Sequence, residues 1–309
     1  MKKKNFCIIG ASGFVAPKHM EAIYFTKNNL IACSDLHENI GIIDRFFPNS
    51  EFFSNTKKFQ NFVKKAKNKI DYLSICSPNY LHFEHIKYGI KNNLNIICEK
   101  PLVLNPAHLD TIEKLNINKK SINTILQLRI HPNIIKLKKY INKQKNKIHD
   151  VELTYVTPRG KWYYSTWKSD FKKSGGLITN IGIHLFDLLV WVFGDCEHSK
   201  IFVNKANCSS GFLKLKKANI KWFLSIDKKH VLMENKNKFS IRNLKINNRI
   251  FDLSKGFTNL HIQSYKNILN SKGFNIEESR NSIELINKIK YQKISNLKFN
   301  EYHRLLKKL

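Results

Sequence analysis

Acidic residues are scarce in this chain. Its 309 residues hold 23 Asp and Glu against 54 Lys and Arg, a formal charge of +31. Such a balance attracts polyanions, but the lysines form no single stripe. Lys57-Lys58, Lys64-Lys65, Lys119-Lys120, Lys172-Lys173 and Lys228-Lys229 lie far apart among many Asn and Ile residues. Neither a paired Cys/His finger nor an RRM aromatic signature accompanies the charge, so no specific nucleic-acid partner is expected. Paired cysteines are lacking too: the six Cys include no CxxC and no spacing with His that would hold a metal. Buried thiols are expected instead, with no metal. Proline and glycine number only 7 and 12, and no repeat, low-complexity linker or separate tail interrupts the chain. No apolar run approaches the roughly 18 residues that span a bilayer. Phe6 to Gly10 is too short for the core of a signal peptide. The expectation is a cytoplasmic protein with no membrane partner.

The chain has ample core material, 42% hydrophobic and 12% aromatic residues, at a length that accommodates two domains. Ile96-Ile97-Cys98 reads as the end of a buried strand and stops abruptly on Glu99-Lys100-Pro101. That sets an ammonium at the carboxyl edge of a sheet, where open parallel sheets bind ligands. Upstream, Phe6-Cys7-Ile8-Ile9 reads as a strand running into Gly10-Ala11-Ser12-Gly13-Phe14-Val15-Ala16, with a helix from Pro17 to about Phe25. Strand, glycine turn and helix are the context a dinucleotide fingerprint requires, although the spacing is GxxGxxA rather than GxGxxG. Leu30 to Ser34 ends on Asp35, 25 residues beyond Gly10. An acid there can bond both ribose hydroxyls and repel a 2′-phosphate, which favours NAD over NADP; an ordinary surface Asp is the alternative. Asp71 to Cys76 is a third strand, and Ser77 and Asn79 follow it as small polar residues for the nicotinamide side. A helix with Ile86, Ile90 and Leu94 comes next. Ser121 to Leu128 reads as a further strand, with Arg129 after it. Alternating strands and helices predict βαβ units and a parallel sheet.

Val151 to Val156 alternates as a half-buried strand does. From Pro158 to Ser174, Arg159, Lys161, Lys168, Lys172 and Lys173 are interleaved with Trp162, Tyr163, Tyr164 and Trp167. Cations for phosphate or carboxylate and flat faces for a base suit a nucleotide; a solvated loop anchored by aromatics is the alternative. Leu177 to Phe193 reads as one helix, with Asn180, His184 and Asp187 at i, i+4 and i+7 on one face. Polar groups on so apolar a helix need either partners or a job. Short strands between Lys200 and Arg249 predict a mostly antiparallel sheet. Leu260 to Leu269 and Glu277 to Ile289 read as closing helices.

The glycine turn, Ser77-Pro78-Asn79 with His82, Glu99-Lys100-Pro101 and GGLITNIGIHLFD at 175–187 occur in this order. Together they resemble the Gfo/Idh/MocA oxidoreductases. The closer resemblance is to their UDP-N-acetylglucosaminuronate 3-dehydrogenase (WlbA/WbpB-type) group, carried by GASGFVAPKHM at 10–20, SICSPNYLH at 74–82, ICEKPLV at 97–103, LQLRIHP at 126–132 and RGKWYYSTWK at 159–168. The resemblance implies an α/β fold: a Rossmann NAD-binding domain over 1–128, and over 129–309 a substrate-binding and oligomerisation α+β domain with an open, mostly antiparallel sheet. It implies NAD-dependent oxidation of a C3′ hydroxyl to a 3-keto nucleotide sugar for surface polysaccharide. A homotetramer and a downstream aminotransferase partner are also implied.

The implied catalytic pair is Lys100 and His184. The cofactor set extends from Gly10, Ser12, Gly13, Asp35, Ser77, Asn79 and Lys100 to Phe14, Val15, His82, Glu99, Gln127 and Trp167. The substrate set is Lys100, Arg129, Arg159, Tyr163, Lys168, Asn180 and His184. Asn180 departs from the Asp that many sugar and inositol dehydrogenases carry; a neutral amide there avoids repelling a substrate that already bears a carboxylate and a diphosphate. Two alternatives stand beside this reading: a family member acting on another sugar or inositol, and a non-catalytic NAD-binding regulator.

Overall fold

The structure, a computed structural model, describes residues 2–235, 237–247, 249–253, 256, 258–297 and 300–308. Six short strands come first: β1 (Asn5–Ile9), β2 (Asn29–Ser34), β3 (Glu51–Phe53), β4 (Tyr72–Ile75), β5 (Asn95–Cys98) and β6 (Ile122–Thr124). They lie in the order β3-β2-β1-β4-β5-β6, and every pairing is parallel. All four residues of β4 are buried and three of four in β5, as a sheet covered on both faces requires. Helices Ala16–Phe25, Thr56–Lys65, His82–Lys91 and Ala107–Leu115 lie along these crossovers. The strand order reverses between β1 and β4, which opens a crevice at their carboxyl ends.

Two expectations for this half need correction. The strand read over Ser121 to Leu128 spans only Ile122–Thr124, and Gln127–Ile130 is a tight 3-10 turn. The chain turns because the Arg129 amide donates back to the Leu126 carbonyl at 3.0 Å. The second correction concerns a division at 128/129. The first compact unit comprises Met1–Ile130 and also Asn259–Arg280. Tyr265 and Ile268 of the Leu260–Leu269 helix are buried in one cluster with Phe6, Ile8, Met20 and Ile97, so the core of this unit is completed by a late segment.

The second unit comprises His131–Thr258 and Asn281–Leu309. Its strands are β7 (His149–Val156), β8 (Cys196–Asn204), β9 (Cys208–Leu215), β10 (Ala218–Ser225), β11 (Ile241–Ile246) and β12 (Arg249–Asp252). Their order is β12-β11-β7-β10-β9-β8. Only β7 and β10 pair in parallel, so the sheet is mixed and mostly antiparallel. Fully buried Trp222 on β10 meets Phe186 edge-on at 5.2 Å, which packs helix Ile183–Phe193 against the sheet.

The apolar stretch 177–193 is two helices rather than one. Gly176–Asn180 and Ile183–Phe193 are separate, and the second is bent by 45° from the segment before it. A side chain at Gly182 would put a Cβ against the Ile178 carbonyl, 2.8 Å from the Phe186 ring and 3.0 Å from Leu224. The bend therefore packs bare backbone into the core. Asn180 lies before it, so only His184 and Asp187 share a helix, at i and i+3. Among the described residues no single helix is long and apolar enough to cross a membrane. All six cysteines are free thiols, five of them buried.

Candidate functional site

In the first unit the glycine turn is fixed by backbone bonds. The Gly10 and Ala11 amides donate to the Ser34 carbonyl at 2.9 and 3.2 Å. Gly10 has φ +86°, and a Cβ there would stand 2.5 Å from the Ser77 nitrogen. Only glycine lets the turn lie flush on the end of β4. Asp35 accepts the Ser12 amide at 3.0 Å on one oxygen and the His37 amide at 3.0 Å on the other. The carboxylate thus shapes the turn from the tip of β2. Phe14 stands almost fully exposed, at 91%. Helix Ala16–Phe25 follows, with Pro17 in its first turn and no acid there to oppose a phosphate. A flush turn, a half-buried carboxylate and an acid-free helix start fit a dinucleotide.

The Lys100–Pro101 peptide is cis. Lys100 donates its amide to Glu99 Oε2 at 3.3 Å. Glu99 Oε1 accepts from His19 Nε2 and from His261 Nε2, each at 3.0 Å. His19 Nδ1 lies 2.8 Å from the Tyr265 hydroxyl, which lies 2.7 Å from Ser74 Oγ. Hydrogen bonding satisfies the chain when each Nε2–H donates to the carboxylate and Tyr265 donates to His19. Burial acts to raise the pKa of Glu99, but the two histidine bonds overcome it and hold the carboxyl well below the usual range. Burial lowers His19, against the pull of Glu99. The three donor atoms lie within 4.8 Å of one another, a set that could take a metal ion, but hydrogen bonding alone accounts for their separations. The Glu99 carboxylate, expected at the cofactor, is therefore engaged by histidines.

His82 is fully buried, with Nδ1 2.7 Å from the Pro101 carbonyl and Nε2 2.8 Å from that of Ser77. It joins the Glu-Lys-Pro turn to the Ser77 turn. Burial lowers its pKa, while both carbonyls pull the other way. Ser77 Oγ lies 2.8 Å from His85 Nδ1, and Asn79 is buried beside it. Arg129, expected at the substrate, is buried: it donates to the Glu278 carbonyl at 2.6 Å and lies 5.2 Å over Phe274. Its guanidinium holds the returning segment. Gln127 is half-buried on the same turn.

In the second unit β7 runs out into Pro158. The Arg159 amide donates to Ile226 at 3.0 Å, and its guanidinium donates to the Pro158 carbonyl at 3.3 Å. The short turn Lys161–Tyr163 buries Tyr163, whose hydroxyl accepts from Asn180 Nδ2 at 3.4 Å. Burial raises the phenol's pKa, with the Asn180 bond and Arg159 opposing. Lys168 Nζ stands 5.1 Å over Trp162 and 5.9 Å over Trp167. Burial lowers the Lys168 pKa, and the Arg159 charge adds to the effect. Arg159, Tyr163, Lys168 and Asn180 thus gather with Trp167, and His184 lies half-buried just past the bend. A hollow of about 210 Å³ is lined by Tyr163, Lys168 and the Gly175-Gly176 turn. A larger one, about 780 Å³, lies along the sheet between Asp150, Glu152, Lys221 and Lys245. Charges of both signs line it, and none of the expected site residues does.

His19, His261 and Tyr265 escaped the reading from sequence. Their only local signal was polar residues on otherwise apolar helix faces.

Two family models match the chain: "Oxidoreductase family, NAD-binding Rossmann fold" over residues 4–125 and "Oxidoreductase family, C-terminal alpha/beta domain" over 141–210. The chain is 36% identical to the WlbA (WbpB) dehydrogenase from Thermus thermophilus, crystallised with NAD and alpha-ketoglutarate, at a TM-score of 0.93 over 97% of this chain and 99% of that one. The same enzyme with NAD and UDP-GlcNAcA matches equally well, over 98% and 99%. Among curated proteins it is 29% identical over 203 residues to glucose-6-phosphate 3-dehydrogenase of Bacillus subtilis, covering 62% of this chain and 54% of that protein. D-glucoside 3-dehydrogenase of Escherichia coli is 25% identical over 199 residues, 60% and 53% of the two lengths. The matches thus span about half the length of these curated relatives. With both family models matched in chain order and a near-full-length relative at 36% identity, the chain belongs to the Gfo/Idh/MocA oxidoreductase family.

Proposed function

We propose that this protein is an NAD-dependent dehydrogenase that oxidises the C3′ hydroxyl of UDP-N-acetylglucosaminuronate to the 3-keto sugar. The observation that carries this reading is the likeness, along nearly the whole chain, to the Thermus thermophilus WlbA dehydrogenase, which was crystallised with NAD and UDP-GlcNAcA. When bound, NAD supplies the hydride acceptor. Gly10, Ser12, Gly13 and the start of the Ala16–Phe25 helix receive its pyrophosphate, and Asp35 receives its ribose. Arg159 and Lys168 pair with the anionic substrate, and Trp167 offers a flat face.

His184 takes the hydroxyl proton. Its ordinary pKa near ~6.5 suits it to work near neutrality, and general-base assistance contributes about 10²–10⁴-fold. Lys100 as the base would have to fall about 3 units from ~10.4, roughly 4 kcal/mol of environmental bias. It acts instead as the cation that orients the hydroxyl and stabilises the developing alkoxide. Asn180 binds the sugar without adding negative charge. In this reading the enzyme is a cytoplasmic homotetramer. It serves surface-polysaccharide synthesis, and an aminotransferase consumes its product. The Thermus complex with alpha-ketoglutarate supports a 2-oxoacid as the means of cofactor recycling.

A second reading, C3 oxidation of glucose 6-phosphate, is favoured by the Bacillus subtilis relative. Substrate deuterated at C3′ tests the reaction itself. The label should appear in the reduced cofactor, and its retention in the sugar product would exclude C3′ oxidation.

A further inference from the structure

One lysine of the second unit is buried with no acid to pair with among the described residues. Lys290, near the end of helix Ile276–Tyr291, is only 8% exposed. Its ammonium lies 5.4 Å over the Phe171 ring and 4.7 Å over that of Tyr291. Among the described residues no carboxylate lies within 4.0 Å of it. Aromatic faces stabilise a cation, but they do not satisfy its three N–H donors.

Lys290 lines the 210 Å³ hollow together with Lys168 and exposed Lys205. No acidic residue lines it. Three lysines lining so small a space give it a positive field that favours an anion. The volume admits one or two tetrahedral oxyanion groups but not a whole nucleotide sugar. A carboxylate offers two oxygens in one plane, whereas a phosphoryl group presents oxygens in several directions, one toward each lysine.

We propose that Lys290, Lys205 and Lys168 form a phosphoryl-binding site on the second unit. Its occupant is either the diphosphate of the substrate, an assignment that rests on the nucleotide-sugar reading above, or free inorganic phosphate.

Calorimetric titration of the full chain, saturated with NAD, tests the site with pyrophosphate, phosphate, UDP and uridine. Lys290→Met and Lys205→Met should each weaken pyrophosphate binding about 10-fold, the loss of one charge-assisted contact. Lys290→Arg should restore part of that loss, and uridine binding should not respond. UDP weakened in parallel identifies the substrate diphosphate as the occupant; UDP unchanged while phosphate weakens identifies free phosphate. Wild-type protein that ignores pyrophosphate, or variants that bind it as tightly as wild type, would overturn the proposal. All four tryptophans lie in this unit, so their fluorescence reports whether each variant is folded. Lys205 is exposed and carries the test should Lys290→Met not fold. Absence of turnover on UDP-N-acetylglucosaminuronate would refute the functional reading yet leave the pyrophosphate titration intact.

Discussion

Asp35 carries two duties on one carboxylate. It accepts the Ser12 and His37 amides, and in the proposed reading it also receives the ribose. Asp35→Ala should weaken NAD about 10-fold or more, as expected when a charged acceptor leaves amide donors unpaired. The relative affinity for NADP should rise, because the charge that repels a 2′-phosphate is gone. Fluorescence titration with both nucleotides checks this, and an unchanged NAD/NADP ratio would contradict it. The catalytic pair is tested in the same spirit. His184→Asn should lower kcat about 10²–10⁴-fold, and Lys100→Met should also impair it. If Lys100→Met abolishes activity while His184→Asn keeps most of it, the two roles are reversed. Residues of this kind were legible because each directly follows an apolar run or belongs to a compact motif. The Glu99–His19–His261 cluster was not, since its members come from a strand end and two distant helices.

At the level of elements, the reading by periodicity succeeded where burial is two-sided or strictly alternating and failed where a single glycine decides. The run Leu177 to Phe193 is apolar enough to pass as one helix, and nothing in its pattern reports the lack of space around Gly182. Gly182→Ala should destabilise the second unit by about 2 kcal/mol, within the range for forcing extra volume into a packed core. Denaturant unfolding followed by tryptophan fluorescence measures this. Stability unchanged from wild type would mean that the bend has another cause. The Leu260–Leu269 helix was recognised as a helix, but its place in the first unit was not. Its contacts lie more than a hundred residues away in sequence, and amphipathicity says which face is buried, not where.

For the molecule as a whole, pH ties stability to buried histidines. His303 is fully buried; its Nδ1 accepts the Leu305 amide at 3.1 Å and its Nε2 lies 2.8 Å from Thr154 Oγ1. Burial is the main cause that pushes its pKa down to about 4, while Glu152 opposes. The folded ring is neutral, whereas the unfolded chain takes up a proton near ~6.5, so stability is full above that value and falls as pH drops toward 4. The loss from this one group is about 3 kcal/mol. Below this window Glu99 adds a further loss, because its depressed folded pKa favours the folded state only while the carboxyl stays ionised. Tryptophan-monitored unfolding should show the second unit weakening from pH 7 to 4.5, and His303→Gln should flatten that slope. A wild-type stability that does not change over this window would contradict the assignment. The charge of +31 was visible at once, but the gathering of Lys168, Lys205 and Lys290 along one hollow required the fold to bring three distant segments together.

The central claim, C3′ oxidation of UDP-N-acetylglucosaminuronate, is tested most directly by NADH absorbance. The protein is mixed with NAD and this nucleotide sugar, with and without 2-oxoglutarate, beside glucose 6-phosphate, glucosides and inositol. The account predicts NADH formation, or 2-oxoglutarate-dependent turnover, on the nucleotide sugar and little on the others. Turnover on neutral sugars with none on UDP-N-acetylglucosaminuronate would contradict it.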